Sequence, residues 1–183
     1  MWKIVAFAVI SGILVYISRA SLRAPRSHGF YRFFAWEFIA AILLLNIDAW
    51  FLDPFDWHQV ISWLLLFASL IPLGLGIHLL RTKGKPNQDQ RPEPELLGFE
   101  KTTTLVTSGV YRYIRHPLYS SLLLLSWGIY FKDPSWIGLL FAAPATLFLV
   151  ATAKADETEC VQTFGTDYQS YMKQTKMFIP YIF

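Results

Sequence analysis

The chain holds a single cysteine, Cys160, among 183 residues. One thiol excludes an internal disulfide and any metal site built from several thiolates, and it leaves the redox compartment unread. Charge is scarce too: Asp, Glu, Lys and Arg make up 16% of the residues, against about 25% in ordinary soluble domains. The chain has no N-x-[ST] acceptor, no glycine-rich dinucleotide or phosphate loop, no H-E-x-x-H and no G-x-S-x-G. Those absences remove the usual signatures of nucleotide binding, zinc proteolysis and serine hydrolysis. The basic residues lack the setting of a nucleic-acid groove, so neither a nucleic-acid partner nor a metal is expected.

Apolar residues are abundant: 54% of the chain is hydrophobic and 17% aromatic. They fall into five runs, at residues 2–17, 33–52, 60–80, 118–131 and 136–153. A helix needs about 17–25 such residues to cross a bilayer, so the first and fourth runs depend on their flanks. The first, with Lys3 near its start, has the look of a secretory signal. It meets Ser18-Arg19-Ala20-Ser21-Leu22-Arg23 instead of a small-residue cleavage site, which argues for a retained span. Only Lys132-Asp133-Pro134-Ser135 separates the last two runs, which makes them an antiparallel hairpin. The expected fold is all-α: a polytopic membrane helix bundle of about five transmembrane helices with a cytoplasmic C-terminal helical segment.

Charge placement supports that layout. Lys and Arg number four in 19–32, none in 53–59, seven in 81–115, one at Lys132 and three from Lys154 onward. Rich and poor segments alternate, as the positive-inside rule requires of five spans with the N-terminus outside and the C-terminus cytoplasmic. The chain then reads as one integral membrane domain over 1–183. It has three spans in 1–80, a cytoplasmic connection over 81–116, the hairpin over 117–153 and a cytoplasmic tail over 154–183. Gly84, Pro86, Pro92, Pro94 and Gly98 mark residues 83–100 as loop. In the tail, Val161, Phe164, Tyr168, Tyr171 and Met172 form a helical stripe interrupted at Gly165, where a break or close backbone approach is expected.

One stretch concentrates the chemistry. Tyr111, Arg112, Tyr113, Arg115, His116 and Tyr119 crowd just before and inside the fourth apolar run, which opens at Pro117. Proline suits the first position of a helix, so the stretch serves as a plain membrane border with an aromatic belt. It equally forms a polar site, since a helix start attracts a carboxylate or phosphate, with Arg115 and His116 adding donors. The acidic cluster at 154–159 has the same two readings: favourable acids in a helix's first turn, or a partner for the first stretch. The hairpin brings Asp156 and Glu157 beside Arg115, His116 and Tyr119, around a cavity suited to a ligand bearing both charge signs. Glu37, within the second run, either reaches the interface or serves function. His28 and His58 read as loop residues and His78 as a packed or interfacial ring.

At these residues a family emerges. LVTSGVYRYIRHPLY, followed some 35 residues later by DETECVQTFGTDYQSYMKQTKMFIP, resembles the isoprenylcysteine carboxyl methyltransferase family and its phospholipid methyltransferase relatives. Those are integral membrane enzymes that use S-adenosylmethionine and release S-adenosylhomocysteine. The resemblance covers roughly residues 102–180. It implies a cofactor wall at Thr103, Thr104, Leu105, Val106 and Tyr111, and an HPxY element at His116, Pro117, Leu118 and Tyr119. Asp156 and Glu157 stand for the family's two adjacent glutamates, the first a departure, and the tail would complete the cofactor site. Where the family often has an arginine four residues before the acidic pair, this chain has Thr152, which weakens a prenylcysteine carboxylate as the substrate. The expected activity is methyl transfer to a lipophilic acceptor at the bilayer, resembling protein-S-isoprenylcysteine carboxyl O-methyltransferase.

Arg115 and Glu157 are the candidate catalytic residues. Arg115 offers donors to an anionic group, while Glu157, or Asp156, takes the proton an amine acceptor must shed. The alternatives are a phospholipid or small-amine N-methyltransferase, a sterol-reductase-like enzyme using NADPH, and a non-catalytic membrane scaffold. The Pro180-Tyr181-Ile182-Phe183 ending resembles that of the reductases, but Leu118 stands where they carry asparagine.

Overall fold

In the computed structural model, which describes residues 1–93 and 96–182, the secondary structure is helical, and no strand occurs among the described residues. Pro94, one of the expected loop markers, and Phe183 lie outside them. Helix α1 spans Trp2–Leu22, α2 His28–Asn46, α3 Trp57–Lys83, α4 Pro117–Tyr130, α5 Trp136–Phe164 and α6 Thr166–Gln174. Short 3-10 turns at Ile47–Ala49 and Gly109–Arg112 complete the order. Two starts are capped by serine: the Ser27 hydroxyl accepts from the Phe30 amide at 3.1 Å and Ser135 from the Gly138 amide at 3.0 Å. Pro117 opens α4, where its missing N–H costs nothing.

Four helices, α1, α2 with its 3-10 extension, α3 and α5, are long and apolar enough to cross a membrane. The fourth apolar run differs from expectation. Helix α4 has 14 residues, about 21 Å at 1.5 Å per residue, short of the roughly 30 Å hydrocarbon core. It packs along α3 instead, and its Gly128 admits the close approach. A Cβ there would lie 2.9 Å from the Leu66 side chain, and the Ser62 hydroxyl donates to the Gly128 carbonyl at 2.7 Å.

Helix α5 also departs from the apolar pattern. It continues past residue 153 through Lys154, Ala155, Glu157, Glu159 and Gln162, good helix formers all. Asp156 and Glu157 therefore sit inside α5, not in the first turn of a separate tail helix. The break comes at Gly165, as its place in the stripe suggested, with φ at +62°.

Helix α2 packs against α5, α3 against α4, and α1 against α2. Their shared core is Ile39, Ile42, Leu66, Ile129, Ala142 and Ala145. The outer faces of α1 and α3 present Val5, Val9, Ile13, Leu64, Phe67 and Ile71, all more than half exposed. Such faces suit hydrocarbon, not water, and the molecule is an integral membrane protein. Glu37 belongs to the α1–α2 seam, where its Oε2 accepts from Ser11 Oγ at 2.6 Å.

The two ends of the bundle differ in character. At one, Lys132 is fully buried, its ammonium 3.0 Å from Gln59 Oε1 and 3.5 Å from the Trp63 ring centre. Asn46 Nδ2 there donates to the Ile129 carbonyl at 2.9 Å. The other end gathers the starts of α2 and α4, the ends of α3 and α5, the long connection and α6.

Candidate functional site

The chemistry gathers at that second end because three separate parts of the chain are tied together there. The connection folds back over the end of α3, where the Gly84 carbonyl accepts from the amides of Thr103 and Thr104 at 3.0 and 3.1 Å. A Cβ on Gly84 would stand 2.5 Å from Thr102 Cγ2, so only glycine permits this crossing. The stretch before α4 is clamped by the C-terminal segment. Arg115 and His116 donate their amides to the carbonyls of Lys176 and Met177 at 2.8 and 3.1 Å, and Ile114 bridges Lys176 in parallel. Ser120 Oγ donates to the Phe178 carbonyl at 2.9 Å, and Tyr171 Oη to that of Tyr111 at 2.6 Å.

His116 is the meeting point of α4 and α5. Its ring is buried, with Nδ1 3.4 Å from Asp156 and Nε2 3.3 Å from Glu157, and it stacks on Tyr119 at 5.4 Å between centres. Burial alone would discharge this imidazole. The hydrogen bonds it donates to Asp156 and then Glu157 outweigh burial and raise its pKa above the ordinary value. Arg115 Nε donates to Glu157 at 2.7 Å, and its Nη1 serves the carbonyls of Met172 and Thr175. These donors clamp α6 and the C-terminal segment to α5.

A cavity of about 100 Å³ opens inside this arrangement. Its wall comprises Leu105, Val106, Tyr111, Arg115, His116, Pro117, Leu118, Tyr119 and Asp156, together with Tyr168 and Tyr171 of α6. Burial, then the nearby Asp156 charge, pushes the Tyr111 phenol well above its ordinary value, so at neutral pH it stays a protonated donor. Thr103 and Thr104 lie outside the wall: Thr103 Oγ1 donates to the Lys85 carbonyl at 2.9 Å and Thr104 is exposed. Glu157 stands behind the wall, between Arg115 and His116.

Sequence reasoning missed the contribution of α2. His28 is no loop residue; it opens α2, and its ring is only 1% exposed yet lines the cavity. Glu159 accepts from both its backbone amide at 2.8 Å and its Nδ1 at 2.6 Å. On the other side, His28 Nε2 faces Glu100 at 3.7 Å, and Glu100 also accepts from Arg32. Burial opposes the charge on Glu100, but Arg32 and then His28 overcome it and hold the carboxyl below its ordinary range. His28, Asp156 and Glu159 bring ligand atoms within 4.8 Å of one another. The bond from His28 to Glu159 accounts for that cluster without an ion. The one legible signal was the i, i+3 and i, i+4 spacing of Asp156, Glu159 and Cys160, which puts them on one face of α5.

Charges of both signs line the cavity, Glu100, Asp156 and Glu159 with Arg91, Arg115, His28 and His116, beside buried tyrosine rings, which suits a ligand that bears both. Comparison with known proteins returns methyltransferases. Residues 95–167 match the family model for phospholipid methyltransferase. A methanethiol S-methyltransferase of Crocosphaera subtropica is 32% identical over 76 residues, 42% of this chain and 29% of that protein. One from Pseudomonas deceptionensis is 28% identical over 157 residues, 78% of this chain and 57% of the other. The protein-S-isoprenylcysteine O-methyltransferase of Schizosaccharomyces pombe is 31% identical over 83 residues, covering 45% and 35%. The chain thus spans between 29% and 57% of the length of these relatives. No solved structure matches. The Arg115–Tyr119 corner and the Asp156–Glu157 pair both lie inside the matched region, so this part of the chain resembles the phospholipid methyltransferases.

Proposed function

We propose that this protein transfers a methyl group from S-adenosylmethionine to a lipophilic acceptor drawn from the bilayer. The observation that carries the reading is the joining of His116 and Tyr119 on α4 to Asp156 on α5 around one cavity, lined by charges of both signs, at the head of a membrane bundle. When bound, the cofactor supplies an electrophilic sulfonium methyl. The chain's residues hold and orient. Asp156 attracts the positive groups, and tyrosine faces add cation–π attraction of roughly 0.5–2 kcal/mol. Tyr111 and Tyr168 donate as neutral phenols. Catalysis then comes chiefly from holding the acceptor in line with the methyl. Arg115 braces Glu157 and the C-terminal segment behind this wall. The cavity end is taken as cytoplasmic, in keeping with the basic residues concentrated in the connection.

A second cavity supports the lipophilic acceptor. It is a groove of about 610 Å³ between α4, α5 and residues 178–180, lined by Leu123, Leu124, Trp127, Val150 and Phe178 among others. Phe178 also approaches the His116 ring, 6.2 Å between centres, so the groove ends against the cofactor corner.

Thr152 favours a second reading of the acceptor. It is fully buried and donates to the Phe148 carbonyl of its own helix at 2.7 Å, so no cation stands there to hold a carboxylate. An uncharged thiol or amine fits this better, and the methanethiol enzymes among the relatives act on a thiol by name. Either must lose a proton, and Asp156, which faces the cavity, is the nearest acceptor for it.

Calorimetry on the detergent-solubilised chain tests the cofactor: S-adenosylhomocysteine should bind, and Tyr119→Ala or Asp156→Ala should weaken binding at least tenfold. Binding of NADPH in its place would overturn methyl transfer in favour of reduction. Incubating lipid extracts and small thiols with methyl-labelled cofactor identifies the acceptor. Chromatography then separates base-labile esters from base-stable thioethers and amines.

A further inference from the structure

The main cavity is about 100 Å³, whereas pockets for cofactor-sized ligands run to about 300–1,000 Å³. A ligand of that size enters only if part of the wall moves. Helices α2, α4 and α5 form the packed core of the bundle, so they are poor candidates. The connection is different. Residues 96–106 contain no regular helix, yet Leu96, Glu100, Thr102, Leu105 and Val106 all line the cavity.

This segment is anchored at two points of unlike kind. At its rear, the Thr103 and Thr104 amides bond the Gly84 carbonyl and the Asn87 amide bonds that of Lys101, a backbone hinge beside the end of α3. At its front, the attachment to α2 is a side chain. Glu100 accepts from Arg32 Nη1 and from the Leu97 amide at 2.8 Å, and it faces His28 Nε2 at 3.7 Å. Arg32 is itself buried, at 5% exposure, with its guanidinium 5.2 Å from the Trp36 ring centre. A carboxylate between two buried cationic groups is costly to break from one side, and this one joins the connection to α2.

We propose that Glu100, held between Arg32 and His28, is a positioning residue that keeps segment 96–106 closed over the cavity and sets how fast a ligand enters and leaves. The identity of that ligand rests on the methyl-transfer reading above; the closure does not.

The test uses the full chain in detergent micelles, comparing wild type with Glu100→Gln, Arg32→Lys and, as a control in the same connection, Asp89→Asn. Hydrogen–deuterium exchange without ligand reads closure directly. Both tie variants should exchange the amides of 96–106 at least tenfold faster, with α3 and α5 unchanged and the control like wild type. Unchanged exchange overturns the proposal, as does acceleration spread through the whole bundle, which would mark a loss of global stability. Surface plasmon resonance with S-adenosylhomocysteine then reads access: association and dissociation should both accelerate about tenfold in Glu100→Gln, their ratio shifting far less. Faster dissociation with unchanged association would make Glu100 a direct ligand contact and overturn the gating role. Failure of wild type to bind S-adenosylhomocysteine overturns the methyl-transfer reading, and the exchange result still decides the closure.

Discussion

Replacing Glu157 with alanine removes one partner of a nearly dry ion pair. The Arg115 and Glu157 side chains are 10% and 11% exposed, with Nε and Oε1 2.7 Å apart. Breaking a buried pair from one side costs about 3–5 kcal/mol, because the other charge is left uncompensated. Two circumstances place this pair at the lower end. The Met172 and Thr175 carbonyls still accept from Arg115 Nη1, and a tenth of the surface remains wet. The expected loss is about 3 kcal/mol, more than a hundredfold in the folding equilibrium. Glu157→Gln keeps a neutral acceptor for Nε and should lose about half as much, roughly 1–2 kcal/mol. The combined Arg115→Met, Glu157→Leu variant removes both charges and should lose less than Glu157→Ala alone. Reversible unfolding in mixed detergent and dodecyl sulfate micelles, followed by tryptophan fluorescence, measures all three. A cost below about 1 kcal/mol for the single alanine, or strict additivity in the double variant, would refute the view that this pair clamps the C-terminal segment to α5.

At the opposite end, Lys132→Ala should destabilise the bundle by about 2–4 kcal/mol, since it leaves Gln59 Oε1 without its donor and empties a fully buried site beside Trp63; the same unfolding assay checks it, and Lys132→Met, which refills the space, should recover part of the loss. Acid should loosen the tie at Glu100. Its carboxyl is held below the ordinary 4.5 in the folded protein, so its contribution is present above that value and lost as pH falls through the folded one. Protection of the 96–106 amides, corrected for intrinsic exchange, should therefore be flat from pH 7 to about 5 and decline below. Glu100→Gln should show no such decline, and protection that grows on acidification contradicts the assignment.

The membrane character and most of the helices were legible because both are local properties. An apolar run and a serine or proline at its start specify a helix without reference to anything distant, and Gly165 marks its break by needing a positive φ. The His116 corner was legible for a related reason: the short turn between α4 and α5 makes those helices neighbours, so Asp156 and Glu157 had to approach. The misreadings were equally physical. Apolarity stopped at residue 153 while α5 continued to Phe164, because helix propensity does not require hydrophobicity. The fourth run counted as a span on composition, but Pro117 and Tyr130 bound a helix too short to cross.

By itself, then, the sequence determined a membrane bundle with a His116–Tyr119 corner facing an acidic pair, since each of these follows from neighbours within a few turns. Only the tertiary structure decided that α2 completes the cavity. His28 and Glu159 stand 131 positions apart, and Arg32 and Glu100 stand 68 apart. No local preference links them. They meet because α2 packs along α5 and the connection folds back across the end of α3 at Gly84, where the absence of a side chain lets one backbone cross another. Charge placement along the chain shows which end of a bundle is polar; which charges touch is settled by how closely the helices pack.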